Sequence, residues 1–326
     1  MKLIIQIPCL NEAETLAVSL ASLPRTVEGF DSVEWLVVDD GSTDGTAQVA
    51  REHGVDHIVR HTRNQGLAKA FMSGIDACVG LGADVIVNTD ADNQYSAADI
   101  PALTRPVVNA HADIVVGARP ISAIEHFSPA KKFLQKVGSW VVRVASNTDI
   151  PDAPSGFRAV SREAALRLTV FNDYTYTLET IIQAGQKNMA VQSVPVDVNA
   201  DMRPSRLVKS IPSYIQKSVF TIVRIFVIYR PFRFFFSVGA LLFGAGFLIG
   251  LRFLYFYAIG EGDGHVQSLI LAAALIGVGF QTFLTAFVTD LQAANRRLLE
   301  DIRFYARAER SAGAAATKTE RPRGTK

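Results

Sequence analysis

Short apolar runs recur through the N-terminal third of the chain, and each gives way to polar or acidic residues. Leu3-Ile4-Ile5-Gln6-Ile7-Pro8, Trp35-Leu36-Val37-Val38, Val85-Ile86-Val87-Asn88 and Asp113-Ile114-Val115-Val116-Gly117 are rich in β-branched residues and bounded by turn formers. That is the pattern of buried strands, with proline closing the first. His57-Ile58-Val59-Arg60 reads as a shorter strand between them. Helical stretches fill the gaps. Asn11, followed by Glu12 and Glu14, is placed to cap one of them, and Asn64-Gln65-Gly66 opens another that runs to about Gly80. Alternating strands and helices predict an open α/β sheet whose ligands bind at the carboxyl ends of the strands.

The pattern changes near the C-terminus. Phe234 to Leu251 carries no charge, the apolar run resumes after Arg252 through Ile259, and Val266 to Thr289 is also uncharged. Each is long enough to cross a hydrocarbon core, which takes about 20 residues. Arg252 lies where it can snorkel to an interface. Between the spans, Gly260-Glu261-Gly262-Asp263-Gly264 has no Lys or Arg, whereas Arg224, Arg230 and Arg233 precede them and Arg296, Arg297, Arg303, Arg307 and Arg310 follow. Basic flanks mark the cytoplasmic side. The expectation is a cytoplasmic domain tethered by a two-helix hairpin, with both termini inside.

Composition adds little to this. A net charge of +2 over 326 residues hides a segregated distribution, and no nucleic-acid partner is expected. The two cysteines, Cys9 and Cys78, lack metal-ligand spacing and fit a reducing compartment. The apolar run after Met1-Lys2 is too brief for a signal peptide. None of the six histidines has a ligand-type spacing or a nucleophile partner. The segment beyond Ala312 is Ala- and Lys/Arg-rich and is expected to be disordered.

Candidate chemistry begins where the fourth apolar run ends, in Thr89-Asp90-Ala91-Asp92-Asn93-Gln94-Tyr95. In an extended backbone Asp90, Asp92 and Gln94 share one face, and hard oxygen donors of this kind suit Mg²⁺ or Mn²⁺ with positions left for phosphate oxygens. Asp39-Asp40-Gly41-Ser42-Thr43-Asp44-Gly45-Thr46 forms a second acidic turn, after the second strand. Asp39 there can accept hydrogen bonds from a base or a ribose hydroxyl.

The ordered set Ile7-Pro8-x-x-Asn11-Glu12, Val38-Asp39-Asp40-Gly41-Ser42-x-Asp44-Gly45-Thr46, Asn64-x-Gly66, Asp90-x-Asp92, Val116-Gly117-x-Arg119 and Ser155-Gly156-Phe157-Arg158 resembles family 2 glycosyltransferases of the GT-A fold. The resemblance is to the polyprenyl-phosphate branch and covers about residues 1 to 210. It implies a nucleotide-sugar donor held by Pro8, Leu10, Asn11, Glu12, Asp39, Asp40, Asp90 and Ala91, although the family usually has an aromatic at the position of Leu10. It implies a divalent ion, Mg²⁺ or Mn²⁺, on Asp90 and Asp92 with Gln94. Arg119 would meet a phosphate. Arg203, Ser205 and Arg206 would form a loop closing over the donor diphosphate, with Arg206 in place of the family's lysine; a membrane-facing basic loop, part of a band from Arg203 to Arg233 suited to anionic headgroups, is the rival reading.

On the acceptor side, the resemblance points to Lys131 and Lys132, to the loop from Asp152 to Arg158, and to Glu179. Asp92, Arg119, Asp152 and Arg158 are the catalytic candidates, and Asp152 with Arg158 can alternatively be read as a structural ion pair. The implied reaction is inverting hexose transfer to a polyprenyl phosphate at a bacterial-type inner membrane. Transfer to a lipid or glycan hydroxyl is the alternative; it needs a base, for which Asp152 or Glu179 would serve. A third reading is a catalytically silent, membrane-tethered binding partner. The expected layout is a catalytic domain over 1–207, interfacial helices over 208–231, two spans over 232–290 and a basic tail over 291–326. Gly246-x-x-x-Gly250 offers one face for a homo-oligomer.

Overall fold

The computed structural model describes the chain apart from residues 121–138, 141, 144, 145, 147, 171–175, 200–219, 221, 222, 225, 226 and 320–326. Lys131, Lys132, Arg203, Ser205, Arg206 and most of the expected interfacial stretch lie outside the described residues. The elements of the sheet-bearing unit run β1 (Lys2–Cys9), α1 (Ala13–Ser22), β2 (Ser32–Asp39), α2 (Thr46–Glu52), β3 (His57–Arg60), α3 (Leu67–Gly80), β4 (Val85–Asn88), α4 (Ile100–Val108), β5 (Ile114–Ala118), β6 (Arg158–Ser161), α5 (Arg162–Arg167), α6 (Thr177–Gln186) and β7 (Val191–Pro195).

One seven-stranded sheet has the order β3-β2-β1-β4-β6-β5-β7. β1 pairs in parallel with β2 and β4, and β2 with β3. β6 runs antiparallel to both β4 and β5, while β7 joins the far edge parallel to β5. Pro8 does not end β1, which continues to Cys9 with Pro8 paired to Val38. The period of two sorts the central strand. Leu3, Ile5 and Ile7 face a core shared with Leu16 and Leu20 of α1 and Leu103 and Val107 of α4. Gln6 points the other way, toward Gly74 of α3, where a Cβ would fall 2.4 Å from its Oε1. Because the parallel register sets Cys9 beside Asp39 and Gln6 beside Asn88, the carboxyl ends of β1, β2 and β4 form one edge.

The second compact unit, residues 219–299, is described by itself: it holds α7 (Pro231–Ala258) and the first part of α8 (Val266–Thr319), joined through a short turn at Gly262–His265. Both are long and apolar enough to cross a membrane. Side chains such as Leu241, 73% exposed, and Ile270, 65% exposed, face outward, which suits lipid rather than water. The helices approach closely at glycines. A Cβ on Gly246 would sit 2.9 Å from the Ala272 carbonyl oxygen, and one on Gly279 would sit 2.7 Å from Phe243 N. Gly246 is thus used within the hairpin, and Gly250 meets only Ala272 Cβ at 3.8 Å. The Gly246-Gly250 pair therefore gives no support to an oligomer face.

α8 has 54 residues, roughly 80 Å at 1.5 Å per residue, far more than a bilayer core needs. It also runs past Ala312 to Thr319, where disorder was expected. Alanine, the strongest helix former, dominates that stretch. Residues from Glu300 onward belong to the same compact unit as the sheet. Arg307 donates to the carbonyls of Leu166 at 2.9 Å and Leu168 at 3.0 Å and pairs with Asp76. Glu300 pairs with Lys187 at 3.0 Å, and the Arg167 guanidinium lies over the Phe304 ring. Arg307, only 11% exposed, is therefore a docking residue rather than a free headgroup charge. Arg307→Ala strands two carbonyls and a carboxylate. It is expected to cost about 2 kcal/mol, seen as a Tm lowered by several degrees in detergent; an unchanged Tm would show the contact to be idle.

Candidate active site

Three loops converge on the carboxyl edge. The first two are laced together after β1 and β2. Asn11, at φ 54°, accepts from Thr43 N through its Oδ1 at 2.9 Å, while its own N–H donates to Ser42 Oγ at 2.9 Å. Asn11 is thus not the cap of α1: Glu12 occupies that position, with no side-chain capping bond. Glu12 N donates to Thr46 Oγ1 and Ala13 N to Asp44 Oδ2. Burial works against the charge of Asp44, but the Thr46 hydroxyl and the amides of Ala13 and Thr46 outweigh it and hold its pKa low. Gly41, at φ 79°, lies where a Cβ would meet the Arg63 backbone at 2.6 Å, so only glycine fits there.

The two adjacent acids divide their work. Asp40 is buried and fully engaged, binding His61 Nδ1 at 2.7 Å and accepting from Gln65 N at 2.9 Å and Gly66 N at 2.8 Å. It ties the α3 entry to the sheet, and His61 is a satisfied interior histidine. Asp39 accepts from Ser42 N on Oδ1 at 2.8 Å. Its Oδ2, 3.2 Å from Arg60 Nε, is buried without an aligned hydrogen-bond donor. A buried carboxylate oxygen left open in this way is what a ligand N–H or O–H would complete. Pro8 is buried and Leu10 part-exposed just before the laced loops.

The third loop follows β4. It is a turn rather than an extension of the strand: Asn93 has φ 54°, and Asp92 Oδ1 accepts from Gln94 N at 3.2 Å. The expectation that Asp90, Asp92 and Gln94 share a strand face therefore fails, because a left-handed residue intervenes. Asp90 and Asp92 still influence each other. Burial first, and then the charge of Asp92, push the Asp90 carboxyl up to about 7, with Arg119 opposing. Among the described residues no group of three or more His, Cys, Asp or Glu could hold a metal ion by itself. Two hard oxygen donors at a turn fit Mg²⁺ or Mn²⁺ all the same, since these ions usually keep water and bind through one or two carboxylates plus substrate phosphate.

Arg119 and Asp152 form a bidentate pair. Nε to Oδ2 is 2.7 Å, the second guanidinium nitrogen reaches Oδ1 at 3.1 Å, and the Arg119 backbone N–H adds 3.2 Å. Both side chains are nearly inaccessible, at 8% and 1%. The structural ion pair envisaged for Asp152 exists, but its partner is Arg119 and not Arg158. Arg158 is 1% exposed and donates to the carbonyls of Ser155 at 2.9 Å and Ala153 at 2.8 Å and to the Thr180 hydroxyl. Burial lowers its pKa. It holds the 152–157 loop from below and is closed to substrate. Glu179 is buried on α6.

Sequence reasoning missed the polar layer beneath the turn. Gln6 Nε2 donates to Asn88 Oδ1 at 2.9 Å, and Asn88 Nδ2 reaches the Gly156 carbonyl at 2.8 Å and the Tyr176 hydroxyl at 2.9 Å. The available signal was a single amide in each of two otherwise apolar strands.

Comparison with known proteins gives the chain a family. The model of "Glycosyl transferase family 2" matches residues 4–168. An undecaprenyl-phosphate mannosyltransferase of Micrococcus luteus is 27% identical over 60% of this chain and 83% of its own length. A polyprenol monophosphomannose synthase of Mycolicibacterium smegmatis is 28% identical over 58% and 74%. Among solved structures, glucosyl-3-phosphoglycerate synthase from Mycobacterium tuberculosis, crystallised with Mn²⁺, UDP-glucose and phosphoglyceric acid, superposes with a TM-score of 0.55. It is 18% identical and covers 69% of this chain and 78% of that one; the likeness is one of fold.

Asp90 has a folded pKa of about 7 against 3.8 for an ordinary aspartate. Between these values the folded protein binds the proton and the unfolded chain does not, so without metal this group adds stability as pH falls from about 7 to about 4. Asp90→Asn, uncharged throughout, is expected to flatten that part of the Tm-versus-pH curve measured in EDTA. An identical slope in both proteins would place the raised pKa elsewhere.

Proposed function

Because the chain belongs to glycosyl transferase family 2, we propose that this enzyme transfers a hexose from a nucleotide sugar to a polyprenyl phosphate at a membrane, inverting the anomeric carbon. The observation that carries the reading is the union in one chain of a two-carboxylate turn at the carboxyl edge of a GT-A-like sheet with two helices fit to cross a bilayer. A lipid-borne acceptor explains that union, and the two curated relatives carry names of that chemistry.

Asp39 would accept from the base or ribose through its open Oδ2, with Pro8 and Leu10 lining the same end. Asp90 and Asp92 would hold Mg²⁺ or Mn²⁺. That ion, when bound, offsets charge on the departing nucleoside diphosphate as a Lewis acid. An acceptor phosphate oxygen forms the new bond to the anomeric carbon while the bond to the donor diphosphate breaks. A phosphate monoester has its second pKa near 6, so the attacking oxygen is already largely anionic and no strong base is required. The site agrees with that economy. Asp152, a base candidate for a neutral hydroxyl, is locked in two bonds to Arg119 and 1% exposed. Arg119, held by Asp152 at the end of β5, supplies positive charge beside the turn.

The Arg-rich flanks, and the Gly-rich turn between the spans without Lys or Arg, support a catalytic domain on the cytoplasmic face of a bacterial-type inner membrane. Purified protein in detergent, given polyprenyl phosphate and a panel of radiolabelled UDP- and GDP-hexoses, is expected to form an acid-labile glycolipid with one donor. EDTA should abolish it, and Asp92→Ala should lower the rate by on the order of 100-fold or more. Product formed only on a neutral lipid hydroxyl would replace this reading.

A further inference from the structure

The two sides of the acidic turn are fastened to one residue. Upstream of Asp90, Asn88 Nδ2 donates to the Gly156 carbonyl at 2.8 Å. Downstream of Asp92, the Tyr95 hydroxyl accepts from Gly156 N–H at 3.0 Å. Gly156 is therefore bonded through both of its peptide groups, one to each flank of the carboxylate pair. Its Cα faces Asp90 directly: a Cβ there would lie 3.1 Å from Asp90 Oδ2 and 3.0 Å from the Tyr176 hydroxyl.

The fastening groups are rigid. Asn88 is fully buried and oriented by Gln6. Tyr95 is 4% exposed, with its ring stacked on Phe157 at 5.1 Å. Tyr176 is stacked on Phe71 at 3.9 Å. The loop so fastened also carries Asp152, which grips Arg119.

We propose that Asn88 and Tyr95 are positioning residues that clamp Gly156 against Asp90, fixing the spacing of the two carboxylates for a divalent cation. This rests on the metal-dependent reading above. Neither side chain needs to touch substrate. The turn itself is short, contains a left-handed asparagine, and is made of residues that repel each other when ionised. Without the clamp it would relax away from the geometry a small octahedral ion requires.

Tyr95→Phe removes the hydroxyl and keeps the stacked ring. Binding of Mn²⁺ to the full-length protein, read from the electron paramagnetic resonance signal of free Mn²⁺ with UDP or with GDP present, is expected to weaken about tenfold, as for other supporting residues around metal ligands. Turnover should recover at saturating Mn²⁺. Gly156→Ala retains both backbone bonds but crowds Asp90, and should weaken Mn²⁺ by a comparable factor even if Tyr95→Phe does not fold. A lowered Tm with unchanged Mn²⁺ affinity in the folded variants would overturn the clamp and leave the glycosyl-transfer reading standing. Wild-type protein that binds no Mn²⁺ with either nucleotide would overturn both.

Discussion

The hydrogen bond between Gln6 and Asn88 joins the middle of β1 to the end of β4, and the site depends on it. Two amides placed in apolar strands are costly unless each finds a partner. Here each completes the other, and Asn88 then has two donors left for Gly156 and Tyr176. Parallel pairing sets the register, so the amide pair falls just below the acidic turn and not at the opposite edge. Gly74 leaves room for Gln6 on the helix that covers it. A sheet edge, a carboxylate turn and the loop bearing Asp152 are thereby held as one piece by bonds that never reach solvent.

Above that layer, several charged groups are already engaged within the protein. Asp40 is spent on backbone amides, Asp152 on Arg119, and Arg158 on loop carbonyls. Among the described residues, the second oxygen of Asp39 and the Asp90–Asp92 pair are placed to meet a ligand. A site of this make-up suits an acceptor that arrives already anionic and a donor whose leaving group is itself a multivalent anion. On the proposed function, the apolar hairpin would keep the enzyme where its acceptor is. Its close glycine contacts hold α7 to α8, and its long second helix continues into residues that dock on the catalytic domain through Glu300, Phe304 and Arg307.

Much of the fold was legible because β1, β2, β4 and β5 are apolar runs ended abruptly by polar residues, and because two apolar stretches, the first interrupted by Arg252, are long enough to span a bilayer core. β6 and β7 were not: Arg158-Ala159-Val160-Ser161 sits inside a motif that reads as loop, and Val191-Gln192-Ser193-Val194-Pro195 is a half-exposed edge strand ended by proline. The carboxylate turn was placed correctly from residue type, yet its geometry was misread, since nothing in the letters shows Asn93 turning left-handed. The partner of Asp152 was misassigned because Arg158 is near in sequence whereas Arg119 is near in space, across the β5–β6 pairing. Long-range pairs of this kind are set by strand order, which periodicity does not reveal. The docking of α8 was hidden for a related reason. Arg307 reads in sequence only as one of the basic residues that mark the cytoplasmic flank, and the carbonyls of Leu166 and Leu168 that it serves lie far from it along the chain.

The central claim is that the donor diphosphate is received at the turn after β4 through a metal held by Asp90 and Asp92. The most direct measurement is a structure of the protein with Mn²⁺ and a nucleoside diphosphate, with data collected at the manganese edge. The account predicts an anomalous peak bridging the Asp90–Asp92 turn and the diphosphate, with the base near Asp39. A nucleotide bound at this edge with no manganese there, or manganese bound elsewhere on the protein, would contradict it.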